Sequence, residues 1–533
     1  MDSGYTAGTL LPGCDGKDDI PAYFFRTSFE LDATERYNRL VGAVHYDDGI
    51  ILYINGQRIA AGDDIARADD GTELGRGFDE NLQYGGASRS IRTLDISHTD
   101  LSMLCPGRNT IAVELHNCSR TSSDIWFDIE LSLVNQAVAQ SVPVLCLGSS
   151  ETEMHFSWYT DTQCESSVLV APYADLTQGE LPDNAAVYPA ATARTNTPGL
   201  YSNHAAAYAL EPGTRYAYQL VNGKTRSQIL SFTTAAPGPF SFALAGDTQI
   251  RHDEDADSWA NTLRIATTDS AFEDAAFLLC AGDQVDQADN EEQYLGFLNE
   301  ALRGLPVAAV IGNHDSGSHA HSQHFFVPNE SRYGSTEAGS DYYFTYRNAL
   351  FMVLNGSNRD SAQHEAFLRQ TLRAVTDRDI TWKIVAIHQS IFSAGHHAEA
   401  EDILQRRQEL APLFRELGVN VVLSGHDHVY CRSYIMDGLT PITDPACYSG
   451  PDYSSVTDLE EVLYITANSS SGSKFYSITD APLEYAAVVN QEKEPNLSCV
   501  SISDTAFTIT TYRTTDMQTV DRFTIYKTPD KAG

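Results

Sequence analysis

Five short motifs carry the side chains able to do chemistry: Gly246-Asp247, Gly282-Asp283, Gly312-Asn313-His314-Asp315, His388 and Gly425-His426-Asp427-His428. Two Asp, one Asn and three His among them form a ligand set suited to two adjacent divalent ions. Such a pair, roughly 3.5–4 Å apart and bridged by a shared carboxylate, hydrolyses phosphate esters by presenting a hydroxide to phosphorus. Asp283 is the expected bridge. Asp247 would hold one ion, and Asn313 would offer its carbonyl oxygen to the other. His388, His426 and His428 offer imidazole nitrogens. On extended backbone, side chains two apart share a face, so His426 and His428 can both point into one cleft. These nitrogen and oxygen donors suit Mn, Fe or Zn better than Ca. Singly the motifs say little, because Gly-Asp is commonly a turn. Their order, each at the end of an apolar run, is what is specific.

Those runs must supply the scaffold. Phe240–Ala245, Phe277–Ala281, Val307–Ile311, Ala349–Leu354, Ile384–Ile387 and Val419–Leu423 read as buried strands. Helical spacing falls between them at Asp257–Ala266, Asn290–Leu302 and Ala400–Leu417. Alternating strands and helices predict an α/β domain over 237–533. Strand ends converge in an open α/β sheet, so residues far apart in sequence can meet at one crevice. The tail 497–526 returns to β alternation.

The front of the chain reads as two β-sandwich domains. Residues 1–138 contain strands at Tyr23–Leu31, Ile50–Ile54, Ile111–Leu115 and Ile125–Leu131, with Asn55-Gly56 as a hairpin turn. Asp47-Asp48-Gly49 followed by Tyr53-Ile54-Asn55-Gly56 resembles jelly-roll modules of the galactose-binding-like class, which makes a glycan a possible partner. A packing or spacer module is the plainer expectation. Residues 139–236 carry Met154–Tyr159 and further short strands before the break at Pro237-Gly238-Pro239.

Composition bounds the partners. The 533 residues hold 35 Lys and Arg against 72 Asp and Glu, a formal net charge of −37. No basic patch for nucleic acid is visible. A phosphate site must then draw its positive charge from metals and a few local cations. No apolar stretch approaches the roughly 20 residues of a membrane helix. Met1–Tyr5 has neither the charged nor the apolar region of a signal peptide. Nine cysteines include no CxxC pair, although Cys431 and Cys447 could close a loop. Domain architecture favours an extracytoplasmic or secreted location.

The segment 240–470 resembles the calcineurin-like metallophosphoesterase family, and 139–236 the fibronectin-III-like domain that precedes the catalytic domain of purple acid phosphatases. The wider chain is similar to bacterial purple-acid-phosphatase-like members. The resemblance implies a four-layer αββα catalytic domain. It implies Asp247, Asp283 and His428 on one ion, and Asp283, Asn313, His388 and His426 on the other. It implies His314 as proton donor to the leaving group, with Asp315 as its orienting partner. The chain departs from the family twice. Asp247-Thr248-Gln249 stands where many members have Asp-x-His. Asp286 stands where purple acid phosphatases place a Tyr, three residues after the bridging Asp. Gln249, Asp286 or a water could complete the shell. Without that Tyr, an iron-loaded protein is expected not to be purple.

Arg251, His252, His396, His397 and Arg432 follow the motifs closely enough to contact a small phosphorylated substrate, as do Tyr430 and Lys474. His319, His321 and His324 form a cluster read as a polar loop rather than a second metal site. The expected reaction is hydrolysis of a phosphate monoester by a metal-bound hydroxide. The alternatives are a phosphodiesterase, or a glycan-binding surface protein with a weakened catalytic domain.

Overall fold

The computed structural model describes residues 20–31, 39–47, 49–62, 92–96, 101–117, 125–134, 138–450 and 453–528. Met1–Tyr5, Asp48, Cys14 and Cys118 lie outside the described residues. The chain divides into two compact units: Met1–Ala139 with Asp161–Cys164, and Gln140–Thr160 with Glu165–Gly533.

Where described, the first unit is β apart from a 3₁₀ turn at Leu101–Met103. One four-stranded sheet runs in the order Ala22–Leu31, Gly107–His116, Gly49–Ile54, Gln57–Ala61. A second sheet has three strands, Arg92–Asp95, Arg39–Asp47 and Trp126–Val134. Val44, Ile50, Leu52, Val113 and Leu115 form the core. The turn at Asn55-Gly56 takes positive φ at both residues, 49° and 82°, as a primed hairpin turn requires.

In the second unit, two large sheets position the motifs. One joins eleven strands. Its parallel centre is Phe240–Ala245, Ala275–Cys280 and Val307–Ala309, flanked by the C-terminal hairpins from Asn496 to Tyr526. The same sheet continues through Val144–Leu147 and Met154–Thr160, because Cys146 pairs with Val307. The other sheet has seven strands, with Ala349–Leu354, Trp382–Ile387, Val421–Ser424 and Leu463–Thr466 parallel. Strands buried on both faces read as continuous apolar runs, which is why they were visible in the sequence.

Three apolar clusters join these sheets and their helices. Phe242, Leu244, Phe277 and Leu279 meet Phe351, Ile384, Leu423 and Leu463 between the two sheets. On the far face of the first sheet, Ala243, Leu278 and Val307 receive Trp259 and Leu263 of the helix Asp253–Thr268 and Phe297 of the helix Glu291–Phe297. On the far face of the second, Leu350, Val385 and Val422 receive Phe367 and Leu368 of Ser361–Ala374, and Leu410 and Phe414 of Glu401–Glu416. Each such side chain contributes roughly 1.5–3 kcal/mol.

Two expectations about elements change. The helix expected over Asn290–Leu302 stops at Phe297, and a 3₁₀ turn follows at Glu300–Arg303. Asn299 causes the break, because its side chain accepts from the N–H of Ala301 and caps the new turn. Cys431 and Cys447 are both free thiols, and Cys431 is buried in the sheet. No helix among the described residues is long and apolar enough to cross a membrane.

Candidate metal centre

Every motif lands directly after the C-terminal end of a parallel strand. Asp247 follows Phe240–Ala245, and Asp283 follows Ala275–Cys280. Asn313 follows Val307–Ala309, His388 follows Trp382–Ile387, and His426 follows Val421–Ser424. The first three come from one sheet and the last two from the other. Sharp turns there aim side chains back over the strand ends. Asp247, Gln249, Asp283, His426 and His428 all take positive φ, from 29° to 74°. Such backbone is uncommon outside glycine, and its clustering marks a functional site.

His388 is the hub. Its Nδ1 donates to the carbonyl oxygen of Ala281 at 2.8 Å, which leaves the Nε2 lone pair facing inward. That atom lies 3.2 Å from Asp283 Oδ2, 3.1 Å from Asn313 Oδ1 and 3.2 Å from His426 Nδ1. Four electron-pair donors thus converge on one point, an arrangement that needs a cation between them. Among the described residues, Asp283, His388 and His426 offer ligand atoms all within 4.8 Å of one another. His428 repeats the device. Its Nδ1 faces the Lys474 carbonyl oxygen at 2.8 Å, and its Nε2 lies 3.5 Å from Asp247 Oδ1. Asp247 is in turn held by the His426 N–H.

The electrostatics agree with this geometry. Burial raises the pKa of Asp247 well above the usual carboxylate range, against the opposing pull of His388. Burial alone would lower His388, but the Asp283 carboxylate and then Asp247 raise it to about 10. Asp283 is held well below its ordinary value by His388 and His314, despite its burial. Burial, with His388 beside it, lowers His426 to about 3, and burial lowers His428 to about 4. The carboxylates around His388 favour a cation at this point, and burial keeps His426 and His428 neutral, as ligation requires.

Gln249 occupies the open corner. Its Nε2 donates to Asp286 Oδ1 at 2.8 Å and reaches His314 Nε2 at 3.1 Å. Turning the amide over would set its oxygen against the Asp286 carboxylate, so this orientation is fixed. Its Oε1 is buried without a hydrogen-bond partner. A buried orphan oxygen beside carboxylates and imidazoles fits a metal ligand. Asp286 is half-buried and is engaged by Gln249.

His314 is half-buried, with Nδ1 2.7 Å from the carbonyl oxygen of Asp286 and its own N–H donating to Asp283 Oδ1. Asp315 does not orient it. The Asp315 carboxylate is buried and accepts from the N–H groups of Asp283 and Gly312 at 2.8 Å, Gln284 at 3.0 Å and Val285 at 3.4 Å. It ties two ligand-bearing loops together. Burial and Asp283 raise its pKa to about 7 against those amides.

The proposed substrate contacts separate into two groups. His396 is exposed and His397 half-buried at the site. His397 Nδ1 is 2.7 Å from Asp427 Oδ1, and its ring lies 4.3 Å from that of His426. Arg251 is partly spent, since Nε pairs with Asp255 at 3.2 Å and Nη2 donates to the Ser473 carbonyl oxygen. His252 is exposed at the start of the helix Asp253–Thr268, its N–H donating to Asp255. Arg432 is a correction. Its side chain is 1% exposed, its Nε donates to Asp521 Oδ2 at 2.6 Å, and its guanidinium lies over Phe523. Tyr430, expected beside it, also donates to Asp521. Neither can reach a substrate.

His321 and His324 hold no joint site. His324 is 2.9 Å from Glu291 and lies between the rings of Tyr159 and Tyr294, while His321 is buried beside Phe325. Tyr476 was missed. Its ring centroid lies 5.3 Å from that of His428, 5.2 Å from His397 and 5.6 Å from His396. Nothing in its polar surroundings in the sequence marked it.

Residues 240–430 match the calcineurin-like phosphoesterase family, and residues 141–234 match the purple acid phosphatase N-terminal domain. Purple acid phosphatase 1 of Ipomoea batatas is 26% identical over 293 residues, which is 49% of this chain and 59% of that protein. The serine/threonine-protein phosphatase CPPED1 of Danio rerio is 27% identical over 266 residues, 43% of this chain and 82% of that protein. The chain thus spans about three fifths of the length of the Ipomoea phosphatase. The structure of purple acid phosphatase PPD1 from yellow lupin (Lupinus luteus) superposes with a TM-score of 0.60 at 15% identity, covering 96% of this chain and 97% of its own, so the fold is shared. Residues 240–430 are therefore a calcineurin-like phosphoesterase domain, preceded at 141–234 by a purple acid phosphatase N-terminal domain.

Proposed function

We propose that the chain is a metal-dependent hydrolase of phosphate monoesters with a binuclear centre. The observation that carries this reading is the convergence of Asp283, Asn313 and His426 donor atoms on His388 Nε2. Asp247, Asp283 and His428 would hold one ion, with Gln249 Oε1 able to join them. Asp283, Asn313, His388 and His426 would hold the other. Two divalent ions supply a strong nucleophile at neutral pH and neutralise charge growing on the phosphoryl oxygens.

The chain's own groups do the rest. Asp247 and Asp283 hold the acidic corner while the Ala281 and Lys474 carbonyls fix the His388 and His428 rings. His314 is anchored through Nδ1 by Asp286, so Nε2 is the atom that gives a proton to the departing alkoxide. A protonated His314 Nε2 cannot accept from Gln249 Nε2, so that contact is given up while the bond to Asp286 stays. His396 and His397 stand where they can contact the phosphoryl oxygens. With Asp286 where a Tyr would sit, no tyrosinate can colour bound iron. An intense visible band in iron-loaded protein would contradict this.

The clusters between and outside the two sheets support a helix–sheet–sheet–helix order for 237–533. The separate compact unit supports an N-terminal module over 1–138. The deciding experiment is hydrolysis of an aryl phosphate and its bis-ester by wild type and Asp283→Asn, loaded with Mn or Zn. Monoester turnover lost with Asp283→Asn is expected. Faster bis-ester turnover would make the protein a phosphodiesterase, and no turnover of either would remove the enzymatic reading.

A further inference from the structure

The loop after Leu463–Thr466 brings one more charged group to the centre. The carbonyl of Lys474 receives His428 Nδ1, so the backbone at this point is fixed to a proposed metal ligand. Its ammonium lies 4.5 Å over the ring of Tyr476. Tyr476 touches His428 and His397 edge-to-face, at interplanar angles of 67° and 88°. One aromatic ring therefore contacts both a proposed metal ligand, His428, and the Lys474 ammonium. Arg251, its neighbour across the Ser473 carbonyl, is paired with Asp255. Among the described residues, no carboxylate pairs with Lys474. In a chain with 72 acidic residues against 35 basic ones, an uncompensated ammonium beside the reacting centre is the feature an anion would find.

We propose that Lys474 is a specificity-determining residue that binds a second anionic group, carried by the leaving group, and that Tyr476 positions it. This rests on the phosphoesterase reading above. The scissile phosphate has two ions to neutralise it. The ammonium, seated on the ring that touches His428, suits a phosphate or carboxylate a few bonds further along the substrate. The substrate class is then a monoester whose alcohol carries another such anion. Tyr476 restricts the flexible lysine stem through its cation–π contact, so less entropy is lost on binding.

The test compares butane-1,4-diol monophosphate with the corresponding bisphosphate, using the Mn-loaded full chain. Wild type should prefer the bisphosphate by about tenfold in kcat/KM, the scale of one charged hydrogen bond. Lys474→Met should lose that preference, its bisphosphate kcat/KM falling about tenfold further than its monophosphate kcat/KM, with metal content unchanged. Lys474→Arg should keep the preference, and Tyr476→Leu should weaken it through KM. An unaltered preference in Lys474→Met, or an equal loss on both substrates, overturns the proposal. Turnover of neither ester by wild type overturns the phosphoesterase reading and the proposal with it.

Discussion

A single main-chain N–H, that of His426, lies 2.8 Å from both carboxylate oxygens of Asp247, across 179 positions of sequence. The bond closes the crevice between two sheets, since Asp247 follows a strand of one and His426 follows a strand of the other. It works only because the two turns approach closely, and Gly425 is what lets them. A Cβ there would stand 2.4 Å from Asp247 Oδ2 and 3.1 Å from the carbonyl oxygen of Ala281.

Gly425→Ala should therefore displace Asp247 without unfolding the sheets. The expected result is roughly tenfold or greater loss of affinity for one ion, on the scale seen when a ligand's supporting contacts are removed. Metal content after dialysis, read beside the far-ultraviolet dichroism, checks it. Full metal retention would mean that the two turns can part at no cost to the ligands.

Asp315→Asn should cost stability rather than proton transfer. Four main-chain N–H groups point at this carboxylate, and an amide presents two of its own N–H hydrogens to them. A loss of about 3 kcal/mol is expected, as for a buried hydrogen-bonded charge that loses its match. Thermal melting of the metal-loaded protein measures it. The proposed role of His314 predicts a different pattern, with His314→Ala keeping its metal and melting point while turnover of alkyl phosphates falls.

The contrast shows what was legible. The five ligand strands could be read because each is buried on both faces and ends in a ligand or in Gly and a ligand. Asp315 was misassigned because adjacency in a motif does not fix direction: His314 faces Asp286, and Asp315 turns to the amides behind it. Arg432 was misassigned for a related reason. It follows the last His pair, but it lies in the strand Tyr430–Ser433 and turns onto Asp521, a partner 89 positions away. Lys474 and Tyr476 gave no periodic signal. Lys474 is instead held by a long-range bond, from His428 Nδ1 to its carbonyl oxygen.

Gln249→Leu keeps volume but removes both the orphan oxygen and the hold on Asp286 and His314. The prediction is weaker binding at the Asp247 ion, by about tenfold, with a further fall in kcat as His314 loosens. Mn binding followed by electron paramagnetic resonance separates the two effects. Gln249→His should restore the ion but not the hold on Asp286. If Leu at this position leaves affinity unchanged, a water rather than Gln249 completes the shell.

The stability of the second unit should fall in acid partly through Glu153, far from the metal ligands. Its carboxylate accepts from His155 Nε2 at 2.9 Å and from the Ser149 N–H at 3.0 Å, and also from the Ser149 hydroxyl. The His155 hydrogen bond, followed by those of Ser149, outweighs burial and lowers the pKa from 4.5 to about 2. The folded state thus prefers the ionised form. Its contribution is complete above pH 4.5 and is lost as pH falls from there through 2. Because the group is partly solvated, that contribution is about 1–2 kcal/mol rather than the full value of the shift. Glu153→Gln should melt below wild type at pH 7, and the gap should close on titration towards pH 2. A gap that stays constant over this range would place the effect in packing rather than in charge.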